Sequence, residues 1–314
     1  MLYEALARDG LLLARDVIPF IHDYRVLSRD VAIGTLVKLR RGVYVPRQIW
    51  DAADEREQHI LRVRAVMACA ERPLAVAGIS AAAVWGMPIA GDWPEHVTLI
   101  DAWRGGGRSE PGVLRSAAGF ATARQVMRNG LPTTDLMRTA LDVARGYPFQ
   151  DAVAAVDWAL WAKNELRVTR HDLYEELARM NPRYGRRHLE QVVAFAADAS
   201  GSFGESRART GIHLLGFQAP ELQAEFRDRQ GAMFPDFCWR SARVLGEFDG
   251  KGKYTRDEYT GGDPAEVVWR EKKREDRLRA LGFTVVRILT EHVERPETLA
   301  RMLAAAGVPR GGSH

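Results

Sequence analysis

The chain has 314 residues, 46% of them hydrophobic and 27% charged, with a formal net charge of +4. This is the balance of a globular protein with length for two or three domains, and it excludes a disordered polyelectrolyte. No uncharged apolar run is long enough to span a bilayer, and the opening MLYEALARDG lacks a signal-peptide layout.

Two cysteines, Cys69 and Cys238, lie far apart and neither belongs to a Cys-x-x-Cys pair. Free thiols in a reducing cytoplasm, each thiol buried, are expected, and zinc is not. The modest positive charge gives only a slight lean toward nucleic acid.

Residues 1–50 predict a small helical domain ending in a hairpin. Tyr3 to Arg8 reads as a short helix closed by Asp9-Gly10, and Leu11 to Phe20 as a strand edge and helix. Ser28-Arg29-Asp30 can cap a further helix over Val31 to Leu39. Arg40-Arg41-Gly42-Val43-Tyr44-Val45-Pro46 then reads as a basic turn into a short strand. Helix, helix and basic wing is the order of a winged helix-turn-helix. It would set the 31–39 helix in a major groove and Arg40 and Arg41 on phosphates. A protein-contact module with both arginines in a solvated turn is the other reading.

Residues 51–165 predict a mainly helical middle domain with a small sheet. Asp51 to Arg72 reads as a helix with Ile60, Val63, Val66 and Met67 on its apolar side. An alanine-rich helix over Ser80 to Trp85, a strand over His96 to Ile100 and helices near 134–145 and 150–163 follow. The loop Arg104-Gly105-Gly106-Gly107-Arg108 lacks the Gly-Lys-Ser/Thr of a phosphate-binding loop, so a turn is expected there. Trp103 beside it could stack on a base. Residues 166–199 read as a helical linker with a basic turn at 181–187.

The last domain, 200–308, holds the densest chemistry. Ser202 can cap a helix that has Glu205 near its start, followed by Arg207 and Arg209. FPDFCWRSARVLGEFDGK, residues 234–251, sets Asp236 after Pro235 and then Glu247, Asp249 and Lys251 at alternate positions. Side chains two apart on a strand share a face, so the last three would project together. Crowded ionisable groups need compensation, and a divalent cation with a phosphate ligand supplies it. The plain alternative is a polar hairpin turn at Asp249-Gly250. WREKKREDRLRALG, residues 269–282, reads as a basic helix, and FTVVRIL, residues 283–289, as an apolar strand.

Residues 200–295 resemble the PD-(D/E)XK nuclease superfamily, in the branch similar to very-short-patch repair endonucleases. Pro235-Asp236 matches the PD, Glu247-Phe248-Asp249-Gly250 the acidic strand, and the basic helix and final strand follow in order. In one alignment Asp249-Gly250-Lys251 is the D-x-K. In another Glu247 is the second acid, Asp249 stands at the usual lysine position, and Lys251 or Lys253 is the base.

The N-terminal region is similar to AbiEi-type antitoxins of type IV toxin–antitoxin systems, over about residues 5–165. Leu39-Arg40-Arg41-Gly42-Val43-Tyr44, Ser80 to Gly86, Gly130-Leu131-Pro132 and Arg138-Thr139-Ala140-Leu141-Asp142 carry that likeness.

The resemblance implies a mixed α/β multidomain protein with a restriction-endonuclease-like core. It implies a Mg²⁺- or Mn²⁺-dependent endonuclease in a defence or toxin–antitoxin setting, acting on DNA before RNA. Asp236, Glu247 and Asp249 would hold the metal, Lys251 would serve the attacking water, and Glu205 would hold a second metal or its water shell. Arg40, Arg41, Lys253, Arg270, Lys273, Arg274 and Arg277 would contact nucleic-acid backbone. A protein partner or homodimer is compatible with this, and a membrane is not expected. The rival readings are a non-catalytic DNA-binding regulator with a degenerate nuclease-like domain, and a protein-interaction module.

Overall fold

The computed structural model describes residues 2–21, 23–102, 110–116, 120–164, 166, 168–250 and 264–311. It is a mixed α/β multidomain protein in two compact units, Met1–Gly146 with His171–Leu189, and Tyr147–Arg170 with Glu190–His314.

The first unit opens with α1 (Leu2–Leu6), β1 (Leu12–Leu13), α2 (Ala14–Ile21) and α3 (Tyr24–Ala32), then the hairpin β2 (Leu36–Arg40) and β3 (Val43–Pro46). The sheet order is β1-β3-β2, all antiparallel. This connectivity follows the expected order of helices and wing, but the third helix lies earlier than the sequence suggested. Asp23, not Ser28, caps it by accepting from the Arg25 N–H at 2.8 Å. Gly34 at φ +82° turns the chain into β2, so Leu36–Arg40 is strand, not helix. The β-branched Val31, Ile33, Thr35 and Val37 give the helix weak propensity there, and one glycine is enough to end it.

The expected 51–72 helix is two: α4 (Arg47–Ala52) and α5 (Glu55–Met67), the second started by a capping box of Asp54 and Glu57. Its buried residues are His59, Leu61, Val63, Ala65 and Val66, not one apolar side. Leu61 and Ala65 pack with Val43 and Val45 of the hairpin, while Val63 and Val66 pack with the five-stranded sheet. That sheet runs β6 (Val113–Ser116), β5 (Val97–Asp101), β4 (Leu74–Val76), β8 (Leu131–Thr134) and β7 (Gln125–Arg128). The helices α6 (Gly78–Trp85), α7 (Leu136–Gly146) and α9 (Arg170–Met180) complete this unit's regular structure, with α10 (Arg186–Phe195) running across the boundary.

In the second unit α8 (Phe149–Leu160) joins α11 (Phe203–Leu214), whereas the sequence had placed it in the middle domain. The link is a buried ion pair between residues 52 positions apart. The Arg209 guanidinium donates to both Asp157 oxygens at 3.1 and 2.8 Å, and Arg207 meets Asp151 at 2.8 Å. Such long-range pairing leaves no local signature. The four-stranded sheet has the order β14-β13-β12-β9: β14 (Thr284–Leu289), β13 (Val244–Asp249), β12 (Phe237–Trp239) and β9 (Glu221–Leu222). Parallel strands β13 and β14 are joined through α12 (Pro264–Ala280), and a hairpin, β10 (Phe226–Asp228) with β11 (Gly231–Met233), stands apart.

Alternation along β13 sorts the two faces. Val244 and Phe248 join Ala208 and Ile212 of α11 and the helix α14 (Pro296–Ala305) in one core. Leu245 joins Cys238 and Leu278 of α12 in the other. Gly204 lies so close to the Phe248 ring that an added Cβ would fall 2.1 Å from its edge. Arg243 seals the end of α12 by donating to the Leu281 and Gly282 carbonyls at 2.7 and 2.9 Å. Cys238 is buried as expected, whereas Cys69 is exposed, because α5 ends before it and leaves it on the turn.

Candidate functional site

Glu247 and Asp249 lie on the α12 face of the second unit's sheet. Strands β12 and β13 pair antiparallel with Phe237 opposite Gly246. Asp236 directly precedes β12. The Phe248 N–H donates to Asp236 Oδ2 at 2.8 Å, and Gln223 Nε2 donates to Oδ1 at 3.1 Å, so the carboxylate is fixed at the strand edge. Glu247 and Asp249 stand two apart on β13, both partly buried, and so share a face.

Each of these two acids meets an arginine. Arg274 of α12 donates to Glu247 Oε2 at 2.8 Å, and Arg287 of β14 donates to Asp249 Oδ2 at 3.1 Å. Arg287 also donates to Glu275 Oε2 at 2.7 Å, and these partners raise its guanidinium further, Glu275 first. Arg287 aligns with Glu247 across the parallel pair. The sequence reading passed over Arg287 and Glu275, although a lone charge inside FTVVRIL is a usable signal: an arginine in an apolar strand needs a partner.

Other expected members stand apart. Glu205 caps its own helix start: its Oε2 accepts from the Gly201 N–H at 2.9 Å, and its own N–H donates to Ser202 Oγ at 3.1 Å. Its helix packs on the face opposite Glu247. Arg277 is a clamp on the hairpin, donating to Asp228 Oδ2 at 2.7 Å and to the Gly231 carbonyl at 3.0 Å; this holds the Asp228 carboxyl below its usual range. Lys273 is exposed on α12, and Arg270 lies within that helix. Lys251, Lys253, Trp103 and the 104–108 loop lie outside the described residues. Arg40 is held by Glu110 at 2.7 Å, while Arg41 is exposed. Among the described residues no group of three or more His, Cys, Asp or Glu side chains is gathered closely enough to hold a metal ion. The donor chemistry of Asp236 and Glu247 still suits a hard cation, because carboxylate oxygens retain lone pairs after accepting one hydrogen bond.

A second polar centre, in the first unit, went unread. His59 is fully buried. Its Nδ1–H donates to the Pro94 carbonyl at 2.8 Å, and Ser80 Oγ–H donates to Nε2 at 2.8 Å. Ser80 Oγ in turn accepts from the Thr98 N–H at 2.9 Å. Burial depresses the imidazole to about 4, so it is neutral near pH 7. No solvent reaches the Ser–His pair, which makes it a tie between α5, α6 and β5 and not a nucleophile.

Fold and site together define a mixed α/β multidomain protein with an arginine-paired acidic cluster on one sheet, and no described helix long and apolar enough to cross a membrane. The chain belongs to the family of the uncharacterized protein Rv2248 of Mycobacterium tuberculosis strain H37Rv, to which it is 32% identical over 203 residues, 62% of this chain and 71% of that protein. The uncharacterized protein MT2308 of strain CDC 1551 matches with the same identity and coverage. No family model matches. The crystal structure of the RV2827C protein from M. tuberculosis superposes with a TM-score of 0.41 at 18% identity, over 66% of this chain and 78% of that one, a likeness too slight to define the fold.

Proposed function

We propose that the second unit is a metal-dependent nucleic-acid hydrolase, resembling the PD-(D/E)XK superfamily, that acts on DNA in the cytoplasm. The observation that supports the reading is the hydrogen bond from the Phe248 N–H to Asp236 Oδ2 at 2.8 Å, which ties Asp236 to β13 between Glu247 and Asp249. Asp236 and Glu247, with Asp249 beside them, would hold Mg²⁺ or Mn²⁺. Such an ion supplies Lewis-acid polarisation of a phosphate oxygen and lowers the pKa of a bound water.

The chain's own cations do the rest. Arg274 and Arg287 now rest on Glu247 and Asp249 and can exchange those carboxylates for phosphate oxygens, since guanidinium binds either in the same forked geometry. Lys251 or Lys253 would orient or deprotonate the attacking water. The exposed Lys272 and Lys273 extend the positive surface along α12. The N-terminal helices and hairpin, similar to AbiEi-type antitoxins, would add a duplex contact.

A second reading has its own support. Both β13 acids are already neutralised by arginine, as in a domain that keeps the fold after losing the chemistry. The protein would then be a DNA-binding regulator of antitoxin type. Single-turnover cleavage of single- and double-stranded substrates with Mg²⁺, Mn²⁺ or EDTA separates the two. The hydrolase reading expects cutting that EDTA stops and Asp236→Ala abolishes. Lys251→Ala should match that loss if Asp249-Gly250-Lys251 is the motif, and fall short of it if Asp249 holds the lysine position. A wild type that cuts nothing under either metal leaves the regulator.

A further inference from the structure

The first unit holds an open cleft of about 620 Å³ between the β2–β3 hairpin, α4, α5 and the start of β5. That is within the range of small-molecule sites. Its lining includes Lys38, Arg40, Arg41 and Arg62 against a single acid, Glu95, with Trp50 on the apolar side. Arg40 is taken by Glu110 just outside the lining. The other three cations are not: among the described residues neither Lys38, Arg41 nor Arg62 has a hydrogen bond or ion pair.

Arg62 is the informative one. It is half-buried, and its guanidinium sits 4.9 Å from the centroid of the Trp50 ring. Burial lowers its pKa, and Glu95 only partly opposes that. A guanidinium brought out of water ordinarily finds acceptors for its donors. Here the guanidinium lies over the indole face, and its N–H groups line the cleft with no hydrogen bond to the described residues. An aromatic-held arginine, two further cations and an apolar wall make a complement to a planar ring carrying phosphate.

We propose that this cleft binds a nucleoside phosphate. The phosphate oxygens would lie on the Arg62 fork, Lys38 and Arg41 would add charge at the hairpin edge, and the base would lie against Trp50, Val66 and Val97. The ligand is either a free nucleotide or one unit of a single strand. The inference is independent of the hydrolase reading, which concerns the other unit.

The test is calorimetric titration of the full chain, without divalent metal, using AMP, GMP, inorganic phosphate and a twelve-residue oligothymidylate. Saturable binding of a mononucleotide identifies a free ligand, and saturable binding of the oligonucleotide alone identifies a strand. In either case Arg62→Gln should weaken binding at least tenfold. The double variant Lys38→Gln/Arg41→Gln, whose side chains are exposed or at the edge and so spare the fold, should weaken it several-fold and reduce its salt dependence. Binding of neither nucleotide nor strand would overturn the proposal. So would nucleotide affinity no better than that of inorganic phosphate, or affinity that both variants leave unchanged.

Discussion

Two arginine–carboxylate pairings in the second unit use the same chemistry in opposite surroundings. Asp157 and Arg209 are sealed between α8 and α11, and the carboxylate also accepts from the Ala197 N–H at 2.7 Å, while Arg209 donates to the Phe195 carbonyl at 3.0 Å. Glu247 and Arg274 form a half-buried pair, the arginine side chain 37% exposed and the glutamate 13%. The first pair cannot change partners without leaving a buried charge. The second has a half-exposed arginine that can leave for solvent or phosphate, provided that a cation takes its place on the largely buried Glu247. Burial, not the residue types, decides which pair is a brace and which can be a site.

The largest expected effect follows from the sealed pair. Arg209→Ala strands the Asp157 carboxylate and should cost about 3–5 kcal/mol, read from urea unfolding at pH 7. A loss under about 1 kcal/mol, the range of an exposed pair, would erase the distinction between the two pairings.

His59 offers a sealed polar centre that titrates. Its folded pKa, about 4, lies below the ordinary value near 6.5, so the unfolded chain binds the proton more readily. Its contribution is fully present above about pH 6.5 and is lost as pH falls toward 4, by about 3 kcal/mol at 1.36 kcal/mol per unit. Carboxylates also titrate at the lower end, so the measurement is the difference between wild type and His59→Gln across that window. Parallel profiles would show that the imidazole is not held neutral.

Close packing beneath the acidic face gives a smaller effect. Gly204→Ala drives a methyl into the Phe248 ring and should destabilise by about 1–3 kcal/mol, seen as a shifted urea midpoint with unchanged slope. The smallest effect belongs to the half-buried pair: Arg274→Ala should cost about 1 kcal/mol, the upper end for an exposed pair, because Glu247 is only 13% exposed.

These contrasts also mark what the sequence could and could not reveal. The helix start at Ser202, the strand ending in Glu247-Phe248-Asp249 and the basic helix after it were legible, because capping residues, period-2 alternation and charge density are local signals. The helix at 31–39 misled because Ser28 and Asp30 imitate a cap, whereas Asp30 is in fact buried under the Tyr3 hydroxyl at 2.5 Å. The physical content of the motif Arg138-Thr139-Ala140-Leu141-Asp142 is an i,i+4 ion pair between Arg138 and Asp142 at 2.9 Å. Asp157 with Arg209, His59 with Ser80, and Arg62 over Trp50 all join residues from separate elements. No window of sequence contains both partners of those that span 21 or 52 positions in a readable pattern.

Exchange of arginine for a divalent cation on Asp236, Glu247 and Asp249 is what the hydrolase requires. Mn²⁺ titration of the full chain, followed by the loss of the free-ion electron paramagnetic resonance signal, tests it without any substrate. The wild type should bind saturably; Asp236→Asn and Glu247→Gln should each weaken binding at least tenfold, while Glu205→Gln leaves it within about twofold, a difference of only about 0.4 kcal/mol. No saturable binding, or equal binding by all four proteins, would rule out a metal site at these acids.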